Sequence, residues 1–64
     1  MRISREKVEL VMAEKGICTQ AEISQLSGIS RQTINGVLNG RGCRPFVAGK
    51  LAKALGVEVT DILE

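Results

Sequence analysis

Gly28 and Ser30 stand two positions apart and carry opposite instructions. Gly28 follows Thr19-Gln20-Ala21-Glu22-Ile23-Ser24-Gln25-Leu26-Ser27. A glycine there tolerates the left-handed backbone that ends a helix. Ser30 is a natural N-cap and precedes Ile34, Val37 and Leu38, which recur at helical spacing. A helix stop and a helix start so close together leave room for one residue, Ile29. The chain must therefore turn sharply between two short helices, with Ile29 directed into the core. Few arrangements of 64 residues satisfy that demand.

The same punctuation predicts the rest. A first helix is expected from about Ser4 to Lys15, capped by Ser4, with Glu6 near its positive end and Gly16 at its stop. Val8, Val11 and Met12 form its apolar face, with Leu10 at the flank. Thr19 to Glu22 fits the S/T-x-x-E capping box, so the second helix starts after Thr19. Asn39-Gly40 stops the third. Gly40 to Arg44 is a polar loop, and Pro45 sits where the first turn of a fourth helix accepts it. That helix should run to Leu55, burying Val47, Ala48, Leu51, Ala52 and Leu55. Gly49 within it costs about 1 kcal/mol relative to alanine, and close approach of a neighbouring helix would account for it. Gly56 ends it. Thr60 is expected to cap a last short helix, Asp61 to Glu64, that buries Ile62 and Leu63 with Val57. No strand alternation, linker or repeat interrupts the pattern. The fold class is all-α: a compact bundle of five short helices in one domain over 1–64, with a helix-turn-helix over about 19–39.

A domain this short hides only about 60% of the surface its unfolded chain exposes, which leaves little space for a catalytic pocket. The chain has no histidine, no glycine-rich phosphate loop and no nucleophile paired with a base, so no enzyme is expected. Cys18 and Cys43 are far apart, neither lies in a CxxC, and no metal or cofactor is implied. No signal peptide and no apolar run near 18 residues is seen. The reading is a cytoplasmic protein with reduced thiols. Phe46 is the only aromatic, which argues against base stacking on a single strand.

Charge adds a direction. The net charge is +2, but no acid lies between Glu22 and Glu58, where Arg31, Arg41, Arg44, Lys50 and Lys53 fall. Such a window suits a surface that faces a polyanion, although a solvated helix face would show the same pattern. The third helix sharpens this. Its exposed N-terminal positions are Arg31, Gln32, Thr33 and Asn35. Arginine bonds guanine in a bidentate way, glutamine and asparagine bond adenine, and threonine meets a thymine methyl. A helix of that kind enters a major groove and reads it with its N-terminal residues.

The run Gln20-Ala21-Glu22-Ile23-Ser24-Gln25-Leu26-Ser27-Gly28-Ile29-Ser30-Arg31-Gln32-Thr33-Ile34-Asn35 resembles the helix-turn-helix of Cro and lambda-repressor-type regulators. The likeness continues through Leu38-Asn39-Gly40-Arg41, Arg44-Pro45 and Leu51-Ala52-Lys53-Ala54-Leu55-Gly56-Val57, nearly the whole chain. The resemblance implies a five-helix domain that binds double-stranded DNA in a bacterial or phage transcription regulator. A repressor of prophage or mobile-element type is expected, acting as a homodimer at least on DNA and placed with the nucleoid. The recognition helix would be about Ser30 to Leu38. Arg31, Gln32 and Thr33 would face bases, while Gln20, Asn39, Arg41 and Arg44 would meet the DNA backbone. Plainer roles are open to each of the last four: a first-turn residue, a helix stop and two loop charges. A module that binds protein, such as an antitoxin or an anti-repressor, can share this fold.

The chain departs from the family pattern in three places. Gly16-Ile17-Cys18-Thr19-Gln20 carries one residue more than usual. Ser24 replaces an alanine where the second and third helices touch. Gly36 stands where some relatives place a longer base-reading side chain, which would concentrate base reading in Arg31 to Asn35.

Overall fold

The computed structural model describes residues 1–64. Four α-helices appear in chain order: α1 (Arg5–Lys15), α2 (Gln20–Ser27), α3 (Arg31–Leu38) and α4 (Pro45–Leu55). Each begins and ends on the residues whose chemistry demands it. Ser4, Thr19 and Ser30 accept hydrogen bonds on their hydroxyls from the amides of Lys7, Glu22 and Thr33. Pro45 opens α4 after an extended Arg44. Gly28, at φ +75°, closes α2 by donating its amide to the Ser24 carbonyl.

The capping box of α2 is displaced by one residue. Thr19 performs its half, but the Glu22 carboxylate accepts from the amide of Cys18 at 3.2 Å rather than from Thr19. At this junction Cys18 is exposed with its amide satisfied, while Ile17 packs partly against the core.

The expected fifth helix is not formed. A single 3-10 turn spans Val59–Asp61, and Glu58 rather than Thr60 precedes it, donating its amide to Asp61 Oδ2 at 3.0 Å. Helical bonds do not continue because the chain's beginning claims the backbone that follows. Ser4 donates to the Ile62 carbonyl at 2.7 Å, Glu64 donates to Arg2, and Ile3 and Leu63 form an isolated antiparallel bridge. Ile62 is fully buried as expected, whereas Leu63 and Val57 are only partly so.

One core gathers residues from every element. Val8 and Val11 come from α1, Ile23 from α2, Ile34 and Val37 from α3, and Leu51 and Leu55 from α4. Ile3 and Ile62 close it from the two ends. α4 is the central element, packing on α1, α2 and the 3-10 turn. All 13 buried residues are apolar, so burial in this core leaves no side-chain polar group to satisfy. Gly49 corrects an expectation: a Cβ built on it would meet nothing within 4 Å, so no helix approaches there. It lies on the half-buried flank of α4, beside the face that carries Ala48, Leu51 and Ala52.

Candidate nucleic-acid interface

α3 divides cleanly into two faces. Ile34, Val37 and Leu38 are buried, and Arg31, Gln32, Thr33 and Asn35 are exposed. Eight residues at 1.5 Å each give a rod about 12 Å long, comparable to the width of a major groove. No acidic residue lies on α3. The single ion pair of the chain joins Arg5 to Glu9, so the charges of Arg31, Arg41 and Arg44 have no acidic partner.

The angle at which α3 leaves α2 is held by two serines. Ser24 Oγ donates to the Ile29 carbonyl at 2.6 Å. Ser27 Oγ accepts from the Ile29 amide at 3.2 Å and donates to the Ile23 carbonyl at 2.7 Å. Both backbone groups of Ile29 are thus satisfied by α2 side chains while its own side chain is buried. Ser24 has a physical role here: it fastens the turn that aims α3. Neither serine is marked for this role by the sequence, though a polar residue near a three-residue turn is the available signal.

The candidate base readers are not equally free. Thr33 Oγ1 accepts from Ser30 Oγ at 2.9 Å, which leaves its methyl and its hydroxyl proton for a partner. Asn35 Oδ1 accepts from Asn39 Nδ2 at 3.3 Å. Asn39 Oδ1 in turn accepts from Arg5 Nη1 at 2.8 Å. Because arginine can only donate, this chain of bonds fixes both amide orientations. Asn35 keeps both Nδ2 protons and one lone pair.

Arg5 is the residue that sequence reasoning missed. It lies 34 positions from Asn39, at the first turn of α1, and no spacing rule points to it. Its chemistry is sensible there. The last turn of α3 has no basic residue of its own, and a cation near a helix C-terminus meets the carbonyl end of the dipole.

The expected backbone-holding residues fall at helix ends and in the loop after α3. Gln20 is half-buried at the first position of α2, and Asn39 is exposed at the end of α3. Arg44 is exposed immediately before α4. Arg41 leaves the loop and folds back on α3, where its guanidinium covers Gly36. Lys50 and Lys53 are elsewhere, bordering a shallow groove with Leu26, Ser27 and Ala54; Lys50 Nζ is 5.8 Å from the centre of the exposed Phe46 ring.

Two short helices packed across a three-residue turn, Gly28 to Ser30, have the geometry of a helix-turn-helix. The model of the Cro/C1-type HTH DNA-binding domain matches residues 7–64, all but the first six of the chain. The protein belongs to that family. Neither the curated proteins nor the solved structures contain a match to it. As a Cro/C1-type domain it is an all-α DNA-binding unit, here built with four α-helices where five were expected. The residues present include no group of three or more histidine, cysteine or acidic side chains placed to hold a metal ion. No helix is long and apolar enough to cross a membrane.

Proposed function

We propose that this Cro/C1-type domain is a sequence-specific transcriptional regulator that represses by occupying promoter DNA. α3 enters the major groove. Arg31, Gln32, Thr33 and Asn35 meet base edges there, Gln20, Asn39 and Arg44 meet phosphates, and the setting is the nucleoid of a bacterial cytoplasm, on behalf of a prophage or mobile element. The observation that carries the reading is the composition of α3's outer face: four side chains able to read bases, unpaired by any acid, on a helix whose opposite face is wholly buried. Two copies related by a two-fold axis would place two α3 helices in successive major grooves, about 34 Å apart.

Selection of bound duplexes from a random pool tests this. The expected result is a motif with an inverted repeat, its half-sites one turn apart. Arg31→Ala should cost about 1–3 kcal/mol on that site and much less on random DNA. Arg44→Ala should weaken all duplexes alike and flatten the slope of log affinity against log salt by about one unit per protomer. A motif without an inverted repeat would overturn the dimer. No DNA binding at all, together with co-purification of an unrelated small protein, would favour an antitoxin or anti-repressor.

A further inference from the structure

The end of α3 lays an arginine along the face that reads DNA. Gly40, at φ +101°, reverses the chain after Asn39. The amide of Gly40 then donates to the Val37 carbonyl at 3.2 Å, and the amide of Arg41 donates to the Gly36 carbonyl at 3.0 Å. This pair of bonds is the Schellman closure, and its geometry brings the side chain two residues past the helix cap over the residue three before it. In this chain those two residues are Arg41 and Gly36. A methyl built on Gly36 would stand 3.5 Å from Arg41 Cζ and Nη1 and 3.6 Å from its Cδ. The guanidinium therefore lies where a methyl at position 36 would just touch it, in the space that a longer side chain there would fill.

That space is part of the reading face. Positions 32 and 36 are one helical turn apart and share a side of α3. Gln32 is exposed and lies opposite the buried Ile34, Val37 and Leu38. Gly36 shares that side and is only half-exposed, consistent with its cover by Arg41. The missing side chain at 36 is thus replaced by one from outside the helix. The guanidinium is planar, has five donors and no acidic partner, so its hydrogen-bonding edge is free.

We infer that Arg41 is a base-reading residue of this protein, recognising a guanine edge at the position next to the one governed by Gln32, rather than a phosphate anchor. The inference rests on the reading of α3 as the recognition helix. It adds a fifth reader that the spacing of α3 alone does not contain. Glycine at 36 has a matching role, since any longer side chain would compete with Arg41 for the same space.

Selection from random duplexes with the full chain and its variants tests the assignment, with circular dichroism confirming that each folds. Arg41→Lys keeps the charge but loses the planar fork. It should reduce the preference for guanine at one position by about 5- to 150-fold and leave the salt slope unchanged. Arg41→Ala should lose the same preference and flatten the slope less than Arg44→Ala does. Gly36→Leu, with Arg41 intact, should alter the preferred base at that position and no other. Gln32→Ala should relax the adjacent position. If Arg41→Lys retains every base preference while Arg41→Ala weakens all duplexes equally, Arg41 is a phosphate anchor and the inference fails, although Gln32 and Arg31 still define α3 as the reader. If Gln32→Ala and Arg31→Ala also leave every preference intact, the recognition helix itself is misassigned and the inference fails with it.

Discussion

The two connections that flank α3 are built by different means. Between α2 and α3, the turn at Gly28 and Ile29 is closed by neighbours in sequence. Ser24 and Ser27 bind both backbone groups of Ile29, and Gly28 supplies the positive φ. Between α3 and α4, the loop from Asn39 to Arg44 is closed by residues from far away. Arg5 holds Asn39, and the Met1 carbonyl accepts from the Cys43 amide at 2.8 Å. The first connection sets the angle of α3 and can form as soon as its two helices do. The second depends on the completed fold. Its locally closed portion, from Gly36 to Arg41, is also the portion that returns to α3.

The comparison predicts a gradient of effects. The largest belongs to Gly28. Valine there must adopt a left-handed conformation, at a cost of about 1–3 kcal/mol. In a domain of this size each kcal/mol shifts the melting temperature by about 4–8 °C, so thermal unfolding should show the loss directly. An unchanged Tm would mean that the turn relaxes to another backbone path.

Next in size is the pair of serines. Ser24→Ala leaves the Ile29 carbonyl without its partner and Ser27→Ala leaves the Ile29 amide without its own, each costing about 1 kcal/mol or somewhat more. Because both act on one residue, the double variant should depart from the sum of the singles by at least about 0.5 kcal/mol in chemical denaturation. Strict additivity would show that they fasten the turn independently.

Gly49 provides the opposite sign. Its φ lies outside the left-handed region and an added methyl meets only open space. Gly49→Ala should therefore stabilise α4 by about 0.4–1 kcal/mol, raising Tm by several degrees. A fall in Tm would reveal a contact on that face.

The smallest effect on stability is expected at Arg5. Its contacts are exposed, and its removal should change unfolding free energy by no more than about 0.5 kcal/mol. The consequence should be local instead. Amide exchange at Asn39 and Arg41 should quicken in Arg5→Ala while exchange at Ile29 and Ser30 stays as it was. Equal quickening in both connections would abolish the distinction between a locally closed turn and a remotely closed loop.

Most of the architecture was legible because it is written in local codes. Ser4, Thr19 and Ser30 cap, Gly16, Gly28 and Gly56 stop, and Pro45 starts, each through bonds or dihedrals within about four residues. The buried faces of α3 and α4 followed from spacing, except that Val47, expected inside, is only partly buried. The two errors share one origin. The helix expected over Asp61 to Glu64 failed because the Ile62 carbonyl and the Glu64 amide found partners in Ser4 and Arg2. Gly49 was read as a helix contact because a glycine in a helix invites that explanation, yet no sequence rule states which outward positions a neighbour will cover.

The recognition surface divides along the same line. The exposure of Arg31, Gln32, Thr33 and Asn35, the proposed readers, could be named from the chain because helical periodicity, a property of consecutive residues, decides which side chains oppose a buried face. Arg5 and the site occupied by Arg41 could not. Arg5 meets Asn39 only because α1 is packed so that its first turn reaches the end of α3. Arg41 covers Gly36 because one backbone reversal places a loop residue on a helix it has already left. The sequence determined which helices form and which face of α3 is polar, through interactions whose partners are near in the chain. The tertiary structure decided which charges lie beside that face, since the distance between residues of different elements is set by packing and not by their order.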